Sequence, residues 1–348
     1  MTKNDSKHIL AHVQNLMHQA DKLLIVVSDP IDPDCVGTAL ALTWLLTQQP
    51  KHVEVISLFR IPPEMTDFPK INDVSVVTAD SFDFDRYNII VLVDGCDWTQ
   101  FLGKDWKEIT ARIDLSKVIN LDHHFPGDIQ KTIPERCFNV KTSSTAQLLY
   151  DYFIKPSGVQ LPPDAADCLY RALLYDSRNF KNEMHPGAYN FAADLITSGA
   201  HHAKAVDVNF EMQEFTFLAW AVDHTEFIPE LQLSLLVLDA RAQNELQKRI
   251  SADWKDFDRL YKEVVERQIK GYNYGIILID NFDGSIRLGW RTRSYGDHLS
   301  IGDIARGVGF HAGGHRNAGG GRFSGTIDEA KALLLNAIRH ALDASVAR

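Results

Sequence analysis

The chain lacks most of the features that stabilise a protein from outside its own core. Cysteine is scarce: Cys35, Cys96, Cys137 and Cys168 are the only four in 348 residues, and no two form a CxxC pair. Neither a disulfide framework nor a zinc knuckle is expected. No apolar run comes near the roughly 20 residues that cross a bilayer, and the opening MTKNDSKHIL lacks the apolar centre of a signal peptide. The expected setting is the cytoplasm, with no membrane partner. Positive charge is short as well, 36 Lys and Arg against 46 Asp and Glu for a net charge of −10. That balance argues against a broad surface for long duplex nucleic acid. A short or small anionic substrate stays open, because a local cluster of metal ions, Arg and His outweighs the global field.

No fixed-period repeat or low-complexity tail is visible. The composition, 45% hydrophobic and 24% charged, is that of a globular chain long enough for two domains. Short apolar runs recur at 23–27 (LLIVV), 53–59 (VEVISLF), 89–95 (IIVLVDG) and 118–122 (VINLD), with helical spacing in CVGTALALTWLLTQ between the first two. This alternation predicts an α/β protein whose N-terminal sheet is mostly parallel and flanked by helices. Residues 144–153, 165–176 and 185–200 predict further helices. The aromatic-rich stretch 206–230 is taken as a connecting helix, the alternative being a last core helix of the first domain. Strands at 233–239, 274–280 and 285–292, the last two joined by an Asn281–Gly284 hairpin turn, predict a smaller α/β C-terminal domain with a mixed sheet. The expected division is 1–205, a linker at 206–230, and 231–348.

Within this frame the strand ends are unusually acidic. LLIVV leads into SDPIDPDCVG with Asp29, Asp32 and Asp34, IIVLV ends in Asp94-Gly95, VINL ends in Asp122-His123-His124, and the helical ALLY ends in Asp176. One aspartate after a strand is ordinarily a turn residue or helix cap. Several on one carboxyl edge would repel each other unless cations neutralise them. Carboxylate and imidazole donors suit Mn²⁺ or Mg²⁺ better than a thiolate-seeking metal. Two ions can be held if one carboxylate bridges them.

The motif DPIDPDCVG, followed in order by Asp94, by Asp122-His123-His124 and by Asp176, resembles the DHH phosphoesterase superfamily. GGHRNAGG (313–320) resembles the Gly-Gly-His signature of its associated C-terminal domain, as in the branch of nanoRNases and 3′-phosphoadenosine 5′-phosphate phosphatases. The resemblance implies that Asp32, Asp34, Asp94, His123 and Asp176 hold two ions, with Asp94 bridging. It further implies that Asp122 orients a histidine, and that His124 faces the substrate phosphate. It places Arg291, Gly313, Gly314 and His315 on the substrate. Two departures stand out: the family's usual first-motif histidine is replaced by Ser28, which weakens one ion site, and the fourth motif carries Arg178, read either as shaping access or as a surface residue. His311-Ala312 stands where two glycines are usual, the glycine tract is read either as a phosphate cradle or as a flexible loop, and Trp290 as core or as a base-stacking ring.

The expected protein is a metal-dependent phosphoric ester hydrolase acting on short oligonucleotides or nucleotide 3′-phosphates by two-metal water activation. Cyclic dinucleotides or their linear products are an alternative. A weakly catalytic nucleotide-binding protein is another, on account of Ser28. The oligomeric state is open, a homodimer being one option.

Overall fold

The structure is a computed structural model describing residues 3–62, 65–80, 82–181, 184–206, 212–251, 260–262, 269–293, 299–315 and 317–346. The chain divides into two compact units, Met1–Val208 and Asn209–Arg348.

The first unit is built on a six-stranded parallel sheet of β1 (Lys22–Val27), β2 (His52–Ser57), β3 (Val74–Val76), β4 (Ile89–Val93), β5 (Val118–Asp122) and β6 (Cys137–Asn139), ordered β3-β2-β1-β4-β5-β6. Its strands are apolar on both faces, as a sheet covered on both sides requires. Leu23, Ile25, Val27, Val91, Val93, Ile119 and Leu121 join one core, while Leu24, Val26, Ile56, Ile90, Leu92 and Val118 join the other. Each of the four predicted strands is present within two residues of its expected end. The short edge strands β3 and β6 carried too few residues to register as a pattern.

The chain runs outward from β1 through β2 to β3, then restarts at β4 and runs outward on the other side. The order therefore reverses between β1 and β4, and ligands of such sheets bind outside the carboxyl ends at that point. The helix Pro33–Leu46 leaves β1 there, with Pro33 in its first turn and a reciprocal cap between Asp32 and Cys35. It packs against the helix Pro163–Ser177, which carries Asp176. At their contact a Cβ on Gly37 would lie 2.5 Å from the Cys168 carbonyl oxygen, so the glycine permits the backbones to approach.

The second unit holds β7 (Glu226–Ile228), β8 (Leu233–Leu238), β9 (Tyr274–Asp280), β10 (Ser285–Thr292), β11 (His311–His315) and β12 (Ala318–Ser324), ordered β11-β12-β10-β9-β8-β7. Only β8 and β9 run parallel, so the sheet is mixed as expected. Leu233, Leu235, Ile276, Leu278, Leu288 and Trp290 meet the helices Ile301–Gly307 and Ile327–Val346 on one face. On the other, Leu236, Leu238, Ile277 and Ile279 meet Phe217 and Trp220. The segment 206–230 thus contains a helix, Met212–Asp223, packed onto the second sheet, followed by β7 of that sheet. Residues 207–211 of it lie outside the described set.

Replacing Gly37 by alanine forces the two helices apart. We expect Gly37→Ala to lower unfolding stability by about 1–3 kcal/mol, read from the midpoint of a denaturant titration at unchanged m-value.

Candidate metal centre

The carboxyl ends of β1, β4 and β5 and the end of the Pro163–Ser177 helix bring Asp34, Asp94, His123 and Asp176 together. His123 Nε2 lies 3.2 Å from Asp176 Oδ2, 3.7 Å from Asp94 Oδ1 and 3.8 Å from Asp34 Oδ2. That nitrogen is buried and has no hydrogen-bond partner. Its ring is positioned from behind by Nδ1, 3.4 Å from the Thr142 carbonyl oxygen, to which Nδ1–H can donate. Nε2 is then the lone-pair nitrogen, and burial pushes the ring's pKa down, which favours this neutral form.

Asp34 is fully buried, and its two oxygens accept the backbone N–H groups of Thr145 at 2.7 Å and Ala146 at 2.9 Å. The Thr145 hydroxyl donates to Asp94 Oδ1 at 2.7 Å. Asp94 itself has φ 66°, a left-handed conformation uncommon for a residue with a Cβ, though aspartate is among the types that tolerate it. Asn120, the one polar residue inside the β5 run, donates to the Gly95 carbonyl at 2.9 Å and so holds the turn that follows Asp94. Thr145, Thr142 and Asn120 are thus positioning residues. Only Asn120 left a trace in the sequence, as a polar break in an apolar strand.

The two histidines of the β5 end part company. His124 Nδ1 bonds Asp122 Oδ1 at 2.8 Å, Asn139 Nδ2 donates to the other Asp122 oxygen at 2.9 Å, and the same Nδ2 reaches the His124 carbonyl at 2.9 Å. The expected carboxylate that orients a histidine is therefore Asp122 on His124. Donor atoms cluster in two groups, Asp34–His123–Asp176 and Asp94–His123–His124. In the second, His124 Nδ1 lies 3.7 Å from Asp94 Oδ1 but is already committed to Asp122, which leaves only Nε2 for another role.

Asp32 stands outside both groups. Its Oδ1 caps the Pro33–Leu46 helix, accepting from the N–H groups of Asp34 and Cys35 at 2.9 and 3.1 Å. Ser28 is buried at the end of β1, its Cβ beside the space where Gly95 lacks one. Arg178 begins three consecutive left-handed residues, with φ of 53°, 53° and 60° through Phe180, and ends the helix that carries Asp176.

Electrostatics show the cost of this clustering. Burial, with the Asp94 charge next, pushes the Asp34 carboxyl up to about 7. Burial and the Asp32 charge push Asp94 up to about 7, and Asp176 is pushed well above its ordinary value by burial and its acidic neighbours. Burial works against protonation of His124, yet the Asp122 hydrogen bond and the Asp94 charge lift it to about 9. A buried nitrogen lone pair facing three crowded carboxylates fits a divalent cation of the Mn²⁺ or Mg²⁺ kind, which neutralises the acids and satisfies Nε2 together.

In the second unit the glycine tract is paired rather than a loop. Gly313 and Gly314 lie in β11 opposite Gly320 and Gly319, and Gly319 leaves room for the indole of Trp290, which is buried in the core. Arg291 pairs with Ala318, and Ala318 with His315, so the three form one row across β10, β12 and β11. Arg291 Nη1 donates to the Trp290 carbonyl at 2.9 Å, and its buried Nε has no hydrogen-bond partner. Described residues thus place Asp34, Asp94, His123 and Asp176 together, His124 and Asp122 beside them, and in the other unit Arg291 on β10 and Gly313, Gly314 and His315 on β11, with β12 between.

No family model and no curated protein matches the chain at the sequence level. Among solved structures it resembles an exopolyphosphatase-related protein from Bacteroides fragilis, with a TM-score of 0.77 at 20% identity over 98% of each chain. More remote likenesses are RecJ from Thermus thermophilus in complex with Mn²⁺, with a TM-score of 0.49 at 13% identity over 99% of this chain and 55% of that one, and the pGpG-specific phosphodiesterase PggH of Vibrio cholerae, with a TM-score of 0.41 at 14% identity over 91% and 98%. At those scores they carry nothing further. The first likeness establishes the fold, and the expected α/β architecture, a parallel N-terminal sheet flanked by helices and a mixed C-terminal sheet, is met.

Asp34 and Asp94 rise from an ordinary 3.8 to about 7. Their contribution to metal-free stability is thus fully present below pH 3.8 and is lost as pH rises through about 7. Thermal unfolding of the chelated protein should show this decline between about pH 4 and 7, and Asp94→Asn should flatten it. Mn²⁺ binding should weaken as pH falls below about 7 and release protons, measured by calorimetry in buffers of different ionisation enthalpy.

Proposed function

We propose that this protein is a metal-dependent phosphoesterase of the DHH type, hydrolysing short oligonucleotides or nucleotide 3′-phosphates. The observation that carries the reading is the buried, unpartnered His123 Nε2 among the carboxylates of Asp34, Asp94 and Asp176. These four residues would hold Mn²⁺ or Mg²⁺, with His123 common to the two donor groups, Asp94 in one of them and Asp32 close enough to add charge. Divalent ions there would supply Lewis acidity and lower the pKa of nearby water, so that hydroxide would be available to attack phosphorus near neutral pH.

The chain's own part is positioning and proton placement. Asp122 accepts from His124 Nδ1–H, which holds the ring so that Nε2–H would be the proton given to a phosphoryl oxygen or to the oxygen leaving phosphorus. As the new P–O bond forms from water and the ester P–O bond breaks, the departing oxygen would take the His124 proton, and the proton lost by the attacking water would pass to solvent. Arg291 and His315 are proposed to bind a terminal phosphate. Their common row, with only a methyl side chain between them, and the unsatisfied Arg291 Nε support this role. An arginine fork matches phosphate geometry in a way an ammonium does not.

A second reading rests on Ser28 and on Asp32 standing outside both donor groups: a single tight ion and nucleotide binding with little turnover. Metal stoichiometry separates the two. Two Mn²⁺ per chain in calorimetry fit the hydrolase, and one or none fits the binding protein. Ser28→His should raise Mn²⁺ affinity if an imidazole is what that edge of the site lacks.

Screening with Mn²⁺ against dinucleotides, 3′-phosphonucleotides, cyclic dinucleotides and pyrophosphate tests the substrate class. Asp94→Ala should reduce hydrolysis to background while leaving the fold intact. Arg291→Lys should raise KM for terminally phosphorylated nucleotides roughly 10- to 100-fold, the range for losing a charge-assisted hydrogen bond. Activity that survives exhaustive chelation contradicts the metal mechanism.

A further inference from the structure

β10 turns Ile286, Leu288 and Trp290 into the core of the second unit, so Arg287, Gly289 and Arg291 lie on its opposite face. The antiparallel register carries that face across β12 and β11 in three rows. Arg287, Arg322 and His311 form one row, Gly289, Gly320 and Gly313 the next, and Arg291, Ala318 and His315 the third. On β9 the same face is roofed by Phe217 and Trp220. The Lys262 stem extends the roof over Gly289, where a Cβ would lie 3.3 Å from its Cδ. Beyond that the roof ends, since Gly320, Gly313, Arg322 and His311 are all exposed.

The glycines of this face differ from those of the core face in what surrounds them. Gly319, on the core face, makes room for Trp290, and a Cβ on Gly321 would press on the His311 carbonyl oxygen at 2.9 Å. Gly313 has open space where a Cβ would stand, and Gly320 meets only the Leu288 carbonyl oxygen at 3.2 Å. Neither has the positive φ that favours glycine. Glycine inside a strand costs about 0.5–1 kcal/mol relative to alanine, and a bare strand position is where a ligand can approach the backbone closely. The outer row carries its own cost: Arg287 and Arg322 stand directly opposite each other, and like charges so paired are destabilising. Asp283 Oδ2 lies 3.7 Å from Arg322 Nη1, but both side chains are more than half exposed, so water screens that ion pair. A bound anion would offset the repulsion of the two arginines.

We propose that the row of Arg287, Arg322 and His311 is a second phosphate subsite, and that the substrate is an oligonucleotide of at least three nucleotides whose chain crosses the bare glycine row to reach Arg291 and His315. This rests on the phosphoesterase reading above and narrows its substrate. The two rows are four strand residues apart, about 13 Å at the usual rise of a strand. One phosphodiester link is too short for that span, and two in an extended strand reach it. The row between carries no charge, which suits the sugar and base that separate discrete phosphates. An inorganic polyphosphate, charged along its whole length, would set anions over bare backbone.

Binding to this sheet would require no metal, so the test titrates the whole chelated protein with pApA, pApApA and long-chain inorganic polyphosphate. Wild type should bind pApApA roughly 5- to 10-fold more tightly than pApA, between the values of an exposed ion pair and of a charge-assisted hydrogen bond. Arg322→Ala should abolish that preference and make the fall of affinity with salt shallower, whereas Arg322→Lys should keep the salt slope. Gly313→Val should weaken pApApA binding while unfolding in denaturant no more easily than wild type, because the position is open and valine favours strands. Equal or undetectable affinity for the two lengths in wild type, an unchanged preference in Arg322→Ala, or polyphosphate binding as tight as pApApA overturns the subsite. Mn²⁺-dependent hydrolysis of pApA beside any of these results leaves the phosphoesterase standing. Hydrolysis of neither oligonucleotide with Mn²⁺ removes the reading on which the subsite rests.

Discussion

Crowded negative charge is the constraint on which the rest of the first unit depends. Asp34, Asp94 and Asp176 are brought from two strand ends and one helix end into a region where burial has removed most of the water that would screen them. Desolvation and mutual repulsion both disfavour ionisation, so without a cation their carboxyls hold protons near neutrality. A cluster of this kind is poorly stable alone and would be strongly stabilised by a cation that it held.

The scaffold offsets that instability with neutral donors. Two backbone N–H groups at the start of the Thr145–Leu149 helix serve Asp34, and the Thr145 hydroxyl serves Asp94. These hydrogen bonds orient oxygens without adding positive charge that would compete with an ion. The histidines divide the remaining work through their nitrogens. Nδ1 of His123 points to a backbone carbonyl and leaves the lone pair on Nε2, while Nδ1 of His124 points to Asp122 and leaves the second proton on Nε2. Two adjacent residues of one type are thereby given opposite chemistry by what lies behind each ring.

In the second unit the glycines serve the sheet first. Gly319 accommodates Trp290, which settles that indole as core, and the pairing of β10, β12 and β11 places Arg291 and His315 in one row. Local glycine content had two readings, cradle or flexible loop, because φ freedom alone does not say whether a tract pairs. Strand partners decide it, and they are more than 20 residues away in the chain for β10.

The sequence by itself determined which segments become buried strands, because a parallel sheet covered on both faces needs uninterrupted Val, Ile and Leu, and those runs are local. It also determined which acids and histidines end those strands. Tertiary structure alone decided that Asp32 spends an oxygen on a helix cap while Asp34 turns inward, since the two sit in one short motif and differ only in which N–H groups surround them. It likewise recruited Thr145, Thr142 and Asn139, whose roles depend on β6 and the segment after it folding back beside β5. Burial and strand order are written in the composition of each segment. Hydrogen-bond partners at a switch point are set by distance in space, and no local pattern of side chains encodes that.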